Sequence, residues 1–402
     1  MQRHSKGLGL GYLLFGVGLA WCSLTIAPEA LSTLRFGTLG LLQLPTQRTL
    51  FLCSVVALST GVWCVVSTPA SRLHAMSLGI NVLGMVCSIL VWASMQQRLE
   101  VLGLLAQSLR LATPIALGAL AGLLCERCGV VNIGIEGMML TAACLGSTAA
   151  LYTANIWIGV IAALLAGCVM AAGHAALTIH GKVDQIISGI VLNIFAVGIT
   201  GFLRRAVLLQ NPRSAPGVLP TWHIPLVSDI PGLGQIFFRH QPLVYTTWLL
   251  VLVVHILLFY TAWGLRTRAV GEHPRAADTL GVHVCAVRYG NVIASGLLAG
   301  LGGAWFSLET VGTFDDMMTG GKGFIALAAM IFGQWRPLGA FGGALLFGFV
   351  DALQIKLQIA GVHVPYQFLS MAPYVVTMVV LAGLIGRAIP PAAVGLPYER
   401  ST

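Results

Sequence analysis

Polar and charged residues punctuate a succession of long apolar runs, at roughly 8–27, 49–68, 75–95, 102–124, 134–152, 156–178, 185–203, 244–264, 289–309, 323–333, 338–356 and 367–386. Most have the length of a bilayer-crossing helix, which needs about 20 apolar residues. The pattern predicts an all-α fold, a polytopic transmembrane helix bundle of about 10–12 membrane segments with one or more broken or re-entrant helices. The run 323–333 is too short for a simple crossing and reads as a half-helix, opened by Gly320, Gly321 and Gly323.

Two interruptions carry more information than the runs themselves. In 125–137, Gly129, Gly134 and Gly137 combine with Asn132 and Glu136 in an otherwise apolar zone. Irregular backbone at membrane depth is tolerated only where it is buried in protein or lines a cavity, and transporter sites use broken helices of this kind. Asn132 and Glu136 therefore read either as path-lining groups or as hydrogen-bonding ties between helices. A second polar stripe is Asp184, Gln185, Ser188 and Asn193. Gln185 and Ser188, three apart, share a helix face. The stripe lines a path for a polar solute or packs against other helices. Glu309, Thr313, Asp315, Asp316 and Lys322 read as solvated rim residues at the outer surface. His174 and His255, alone in apolar runs, read as groups hydrogen-bonded to neighbouring helices.

Two loops stand out. The segment 204–243 holds Pro212, Pro216, Pro220, Pro225 and Pro231 and cannot be one helix, because proline removes donors and clashes within a helix. The loop 265–288 is basic, and Pro274 suits the first turn of a short helix that Gly281 ends.

Composition agrees with lipid as the solvent. Of 402 residues, 57% are hydrophobic and 9% charged, and the mean hydropathy is +0.88; a soluble domain carries about 25% charged residues. The 48 glycines suit close helix approach, with GxxxG spacing at Gly118/Gly122, Gly296/Gly300 and Gly339/Gly343. The net charge of +9 reads as Lys and Arg marking cytoplasmic loops, not as nucleic-acid binding. With the N-terminus inside and each run crossing once, more of the Lys and Arg fall on the inner side, so both termini are expected in the cytoplasm. The basic 1–6 segment leads into an uncleaved first helix. Most of the nine cysteines lie in apolar runs, and Cys125/Cys128 lack the second ligand pair of a zinc site. Gly320-Gly321-Lys322-Gly323 lacks the spacing and terminal Ser/Thr of a nucleotide-binding loop. The chain is expected to be no enzyme and to carry no cofactor or metal.

The stretch ERCGVVNIGIEGMM (126–139) resembles the signature of permease subunits of bacterial ABC importers for nucleosides and related purines, within the ribose and branched-chain amino acid permease superfamily. DQIISGIVLN (184–193), GEHPRAA (271–277) continuing to Gly281, GGKGFIALAA (320–329) and WRPLG (335–339) resemble further blocks of that family. Family members usually have Ser at Cys125 and Cys128, Asn at Asp184 and Asn at His273. The resemblance runs from about 104 to 386. It implies a permease domain over 101–390 and a short cytoplasmic tail over 391–402, in the bacterial cytoplasmic (inner) membrane; the first 95 residues match no block of the family, and their three apolar runs read as accessory transmembrane helices over 1–100. The implied partners are a cytoplasmic ABC ATPase that binds the ATP, a second permease subunit (identical or paralogous), and an extracytoplasmic solute-binding protein. Candidate substrate-path residues are Asn132, Glu136, Gln185, Ser188, Asn193 and Phe324. Candidate ATPase-coupling residues are Gly271, Glu272, His273, Pro274, Arg275, Ala276, Ala277 and Gly281. The implied solute is a nucleoside or purine. A simple-sugar or branched-chain amino acid permease, and an ion-coupled secondary transporter using Glu136 or Asp184, are the competing readings.

Overall fold

The computed structural model describes residues 2–67, 71–95, 98–211, 217–359, 366–371, 374–375, 378 and 389–399. In chain order the elements are α1 (Gln2–Thr25), β1 (Leu31–Arg35), β2 (Leu41–Pro45), α2 (Thr46–Val66), α3 (Ser71–Ala93), β3 (Leu99–Glu100), α4 (Val101–Arg127), α5 (Ile135–Thr153), α6 (Ile156–Ala175) and α7 (Gln185–Leu203). They continue with β4 (Trp222–His223), α8 (Leu233–Phe237), β5 (Arg239–His240), α9 (Pro242–Tyr260), α10 (Ala262–Glu272), α11 (Pro274–Thr279), α12 (Val284–Ala304), α13 (Lys322–Phe332), α14 (Pro337–Ile359) and α15 (Tyr366–Ser370). Among the described residues, eight helices are long and apolar enough to cross a bilayer: α2, α4, α5, α6, α7, α9, α12 and α14. The expected run 367–386 lies largely outside the described residues. Helices α6, α7 and α12 each end in a π-helical turn, at Ala176–His180, Arg204–Leu208 and Trp305–Val311.

The chain divides into two compact units. One comprises Met1–Ala106, Pro225–Phe238 and Ala352–Gly386. Here α1 crosses α2 closely, since a Cβ on Gly9 would stand 2.9 Å from the Gly61 carbonyl oxygen. Strand β1 pairs antiparallel with β2 and parallel with β3, a ribbon that helical periodicity did not predict. Gly37 (φ +55°) and Gly40 (φ +128°) turn the chain between β1 and β2, conformations glycine adopts without strain. Buried Ser32 ties the ribbon to the helices, with its Oγ 2.7 Å from Thr46 Oγ1 and donating to the Val91 carbonyl at 2.6 Å.

The other unit comprises Gln107–Ile224, Arg239–Asp351 and Arg387–Thr402. Leu117, Leu120 and Leu123 of α4 are fully buried in it. Lipid offers no hydrophobic drive for helices to associate, so packing at close range has to supply it. The three glycine pairs noted in the sequence do this. Gly118 and Gly122 admit Ala326 and Met330 of α13 and Ile135 of α5. Gly296 and Gly300 of α12 lie against Ala163, Gly167 and Ala171 of α6, where a Cβ on Gly167 would stand 2.2 Å from the Gly296 carbonyl oxygen. Gly339 and Gly343 of α14 approach Gly333 and Ala329, backbone against backbone.

Helix α13 has eleven residues, so it rises roughly 16 Å, about half of a hydrocarbon core, as its short apolar run predicts. It turns into α14 through Gln334 and Trp335, both at φ +52°. That left-handed backbone is costly for side-chain-bearing residues. It is held by Trp335, whose Nε1 donates to Glu126 Oε2 at 2.6 Å while its carbonyl accepts from Arg127 Nε at 2.9 Å.

One helix offers a controlled test of the close crossings. Gly296→Val places atoms against Gly167 backbone that cannot move aside. It is expected to destabilise the detergent-solubilised protein by about 3 kcal/mol or more. Gly290, also on α12, has nothing within 4 Å of its Cβ position. Gly290→Ala is expected to be neutral or to stabilise by up to about 1 kcal/mol. Thermal unfolding curves of the two variants check both signs.

Candidate functional site

Helix α4 ends at a left-handed glycine. Gly129 sits at φ +88°, and the Val130 N–H folds back on the Cys125 carbonyl at 3.0 Å, a glycine-terminated helix end. The chain then runs without helix to Gly134. The first residue of α5, Ile135, packs against Gly118 and Gly122. At 1.5 Å per residue those positions lie roughly 8–14 Å inward from Arg127 along α4. The non-helical segment therefore enters the bundle, where its peptide groups have no water to bind.

Side chains from α6 and α7 take that role. Val131 N–H donates to Gln185 Oε1 at 2.6 Å. The Val131 carbonyl can only accept, so His174 Nε2 at 2.9 Å carries the proton, which leaves Nδ1 of the neutral ring to accept from Ser188 Oγ at 3.0 Å. Asn193 bridges the break: its Nδ2 donates to the Ile133 carbonyl at 3.1 Å and its Oδ1 accepts from Gly137 N–H at 2.8 Å. Asn132 is fully buried and its Oδ1 accepts from Gly134 N–H at 3.0 Å. Gly189 permits the approach, since a Cβ there would meet Gly134 N at 2.9 Å. Asp184 caps α7, accepting from Ile186 and Ile187 N–H.

Glu136, in the first turn of α5, reaches the start of α13. Its Oε1 accepts from Thr319 Oγ1 at 2.6 Å and from Gly321 N–H at 2.8 Å, and its Oε2 accepts from Gly323 N–H at 2.6 Å. Helix α13 has no side-chain cap of its own at Gly321, so a carboxylate from another helix satisfies its orphan donors and its positive dipole end. Lys322 pairs with Asp351 of α14. Beside this junction lies a cavity of about 300 Å³, lined by Glu136, Gly137, Leu140, Asn193, Ile194, Val197, Met317, Thr319, Gly320 and Phe324. Its wall is mainly apolar, and Phe324 is 47% exposed.

Of the six candidate path residues, Glu136, Asn193 and Phe324 meet at this cavity. Asn132, Gln185 and Ser188 lie behind it, bonded to the broken segment or to His174. The rim reading is corrected at two positions. Glu309 is fully buried in the π-helical end of α12, where its Oε2 accepts from Leu243 N–H at 2.9 Å, and Lys322 is half-buried on Asp351. Asp315 and Asp316 are exposed and pair with Arg204 at 2.6 and 2.7 Å.

The candidate coupling segment is two helices, not a loop with one. Thr261 caps α10, accepting from Gly264 N–H at 3.2 Å. Pro274 opens α11, and Gly281 follows it at φ +83°. Ala277 is buried with Val270 and Val284, which fixes the pair to α12. Glu272, His273, Arg275, Ala276 and Gly281 are exposed, and Pro274 is half-exposed. Gly271 sits on the end of α4, where a Cβ would stand 2.2 Å from the Arg127 carbonyl oxygen. The last described residues, 389–399, lie along this end too. Lys182 binds Glu399 at 2.6 Å, and the hydrogen bond it donates holds the Glu399 carboxyl below its ordinary range.

Comparison with known proteins follows the same blocks. A family model described as the permease component of branched-chain amino acid transport systems matches residues 104–385. The chain is 40% identical over 310 residues to the nucleoside ABC transporter permease protein NupC of Lactococcus lactis subsp. cremoris, covering 74% of this chain and 97% of that one. It is 40% identical to the guanosine ABC transporter permease protein NupQ of Bacillus subtilis, over 71% of this chain and 93% of that one. It is 37% identical to the putative glucose ABC transporter permease protein TsgC13 of Haloferax volcanii, over 70% and 91% respectively. No solved structure matches. Residues 1–103 lie outside the family match. From the match across 104–385 and the identity to these transport subunits, the chain belongs to the permease-component family of branched-chain amino acid transport systems and is a transmembrane permease subunit.

Proposed function

We propose that this permease subunit forms the path for a nucleoside in an ATP-driven importer of the bacterial cytoplasmic membrane. ATP hydrolysis then belongs to a separate cytoplasmic ABC ATPase that docks on α10–α11. An extracytoplasmic binding protein delivers the solute, and a second permease subunit, identical or paralogous, completes the assembly. In this reading both termini and α10–α11 face the cytoplasm, in keeping with the basic residues of 265–288. The observation that carries it is one continuous connection. Gly271 of α10 bears on Arg127, Arg127 leads through the break at 128–134 to Glu136, and Glu136 holds α13 beside the cavity.

The cavity suits a solute with a flat apolar face. Phe324 offers a ring for stacking, a contact worth about 0.5–1.5 kcal/mol beyond area burial when two aromatics meet. Glu136 and Asn193 also line this space, with their carboxylate and amide engaged by α13 and by the broken segment. Asn132, Gln185 and Ser188 shape the path from behind by holding the backbone. The names of the 40% identical relatives, a nucleoside and a guanosine permease, support the solute class.

Uptake of labelled guanosine, adenosine and glucose into proteoliposomes, with the co-encoded ATPase and binding protein, tests the reading. ATP-dependent guanosine or adenosine uptake is expected. Glucose uptake alone would move the chain to the sugar branch. Ala276→Asp, on the exposed face of α11, is expected to lower uptake about tenfold or more by spoiling the docking face, with membrane insertion unchanged; full uptake would refute α11 as the docking element.

Asn193→Leu removes both bridges across the break and leaves two peptide groups unpaired, at about 1–3 kcal/mol each. It is expected to lower both uptake and melting temperature. Phe324→Ala, by contrast, is expected to lower uptake with little change in melting temperature. Paired uptake and melting measurements separate the two roles.

A further inference from the structure

The chain end that the sequence presents as a short tail is bound along most of its length. Ala393 N–H donates to the Gly271 carbonyl at 2.9 Å, and Gly395 N–H donates to the Gly129 carbonyl at 3.2 Å. Ala392 N–H reaches Glu272 Oε2 at 3.2 Å. The Leu396 carbonyl accepts from Nη1 of buried Arg288 on α12 at 3.1 Å. Tyr398 packs on the Val270, Ala277 and Val284 cluster, and Glu399 pairs with Lys182 of the α6–α7 connection. Six residues of this nine-residue stretch thus touch the end of α10, the α10–α12 cluster, the break after α4, α12 and the connection before α7. The family match ends at 385, before any of them.

The backbone is shaped for this course. Gly395 at φ +79° and Gly129 at φ +88° are both in the left-handed region, which glycine enters freely. A Cβ on Gly129 would stand 3.0 Å from Arg288 Nη2 and 3.1 Å from the Ala393 carbonyl oxygen. Within the strap, Val394 N–H donates to the Pro391 carbonyl and Leu396 N–H to the Ala393 carbonyl, both at 3.2 Å. Successive turns make it a compact piece rather than a loose thread.

We propose that residues 391–399 are a strap that locks the coupling helices α10–α11 to the broken segment 128–134, so that a displacement of the first is passed to the second. The proposal rests on the importer reading for the source of the displacement, and on the hydrogen bonds alone for the connection. Ala393 and Gly395 are positioning residues. They touch no solute, and they act through the carbonyls of Gly271 and Gly129. Without the strap, α10 loses its hydrogen-bonded link to the Gly129 carbonyl and meets the end of α4 through the bearing of Gly271 on Arg127 and the charge of Glu272 beside it.

Two variants test it: a chain ending at Pro390, and Ala393→Pro, which deletes the N–H donated to Gly271 and sets a ring carbon against that carbonyl. Amide hydrogen exchange of the purified full-length Ala393→Pro protein is expected to speed up about tenfold or more over 129–137, because local opening is set by the bonds that hold a segment. Unchanged exchange there overturns the strap. In proteoliposomes with the co-encoded ATPase and binding protein, both variants are expected to retain the ATPase and its hydrolysis while guanosine moved per ATP falls about tenfold. Unchanged guanosine per ATP overturns transmission. Loss of the ATPase on purification also overturns it, making the tail a docking surface. If the unaltered assembly moves no guanosine, the importer reading fails, and the exchange measurement still decides the strap.

Discussion

The structure depends on one constraint: a peptide backbone that leaves its helix inside a bilayer must find hydrogen-bond partners in the protein. The break at 128–134 meets it with side chains spread over two helices. Gln185, Asn193 and the His174–Ser188 pair reach the backbone on both sides of Asn132. The polar stripe on α7 is thereby accounted for at its Gln185 and Asn193 positions by direct backbone bonds. Removing Gln185, His174 or Asn193 leaves a peptide group of the break unpaired, at about 1–3 kcal/mol each. Polar groups beside the cavity are thus committed first to structural need, Asn193 to the break and Glu136 to α13.

Small residues solve the companion problem of bringing such elements close. Gly189 lets α7 lie on the break, Gly118 and Gly122 let α4 receive both α5 and α13, and Gly271 lets α10 sit on the α4 terminus. At Gly189 and Gly271 a Cβ would strike backbone, and at Gly118 and Gly122 it would strike side chains of α5 and α13. Backbone contacts of this kind transmit motion without the slack of long side chains, because well-packed interfaces shift between discrete arrangements rather than deform.

Much of this was legible in the sequence, and the limits have physical causes. The broken zone announced itself through Gly129, Asn132, Gly134, Glu136 and Gly137, and the half-length of α13 through its short apolar run. The i, i+3 spacing put Gln185 and Ser188 on one face. It could not say what that face meets, because the partners lie 43 to 60 residues away from His174, Gln185 and Asn193. Glu309 was misread because its neighbours Thr313, Asp315 and Asp316 are polar and exposed. The π-helical turn continues α12 past Ala304 and buries Glu309 under the first turn of α9. The β1–β2 ribbon was missed since Leu, Thr and Gly in a short connection fit neither helical nor alternating patterns well. The bound course of 391–399 rests on backbone bonds to Gly271 and Gly129, which no local pattern encodes.

The arrangement also says which part can move as one body. Gln185 and Asn193 belong to α7 and hold 131–137 by side chain to backbone, so the N-terminal half of α7 and the broken segment travel together or lose those bonds. Glu136 adds the first turn of α13 to that body, and Lys322 on Asp351 ties it to α14. At the other boundary stands Gly129, whose left-handed conformation and missing side chain make it the natural point for rotation. In the proposed transmission, a pull on the Gly129 carbonyl acts at the edge of the body that carries Glu136, Asn193 and, through α13, Phe324.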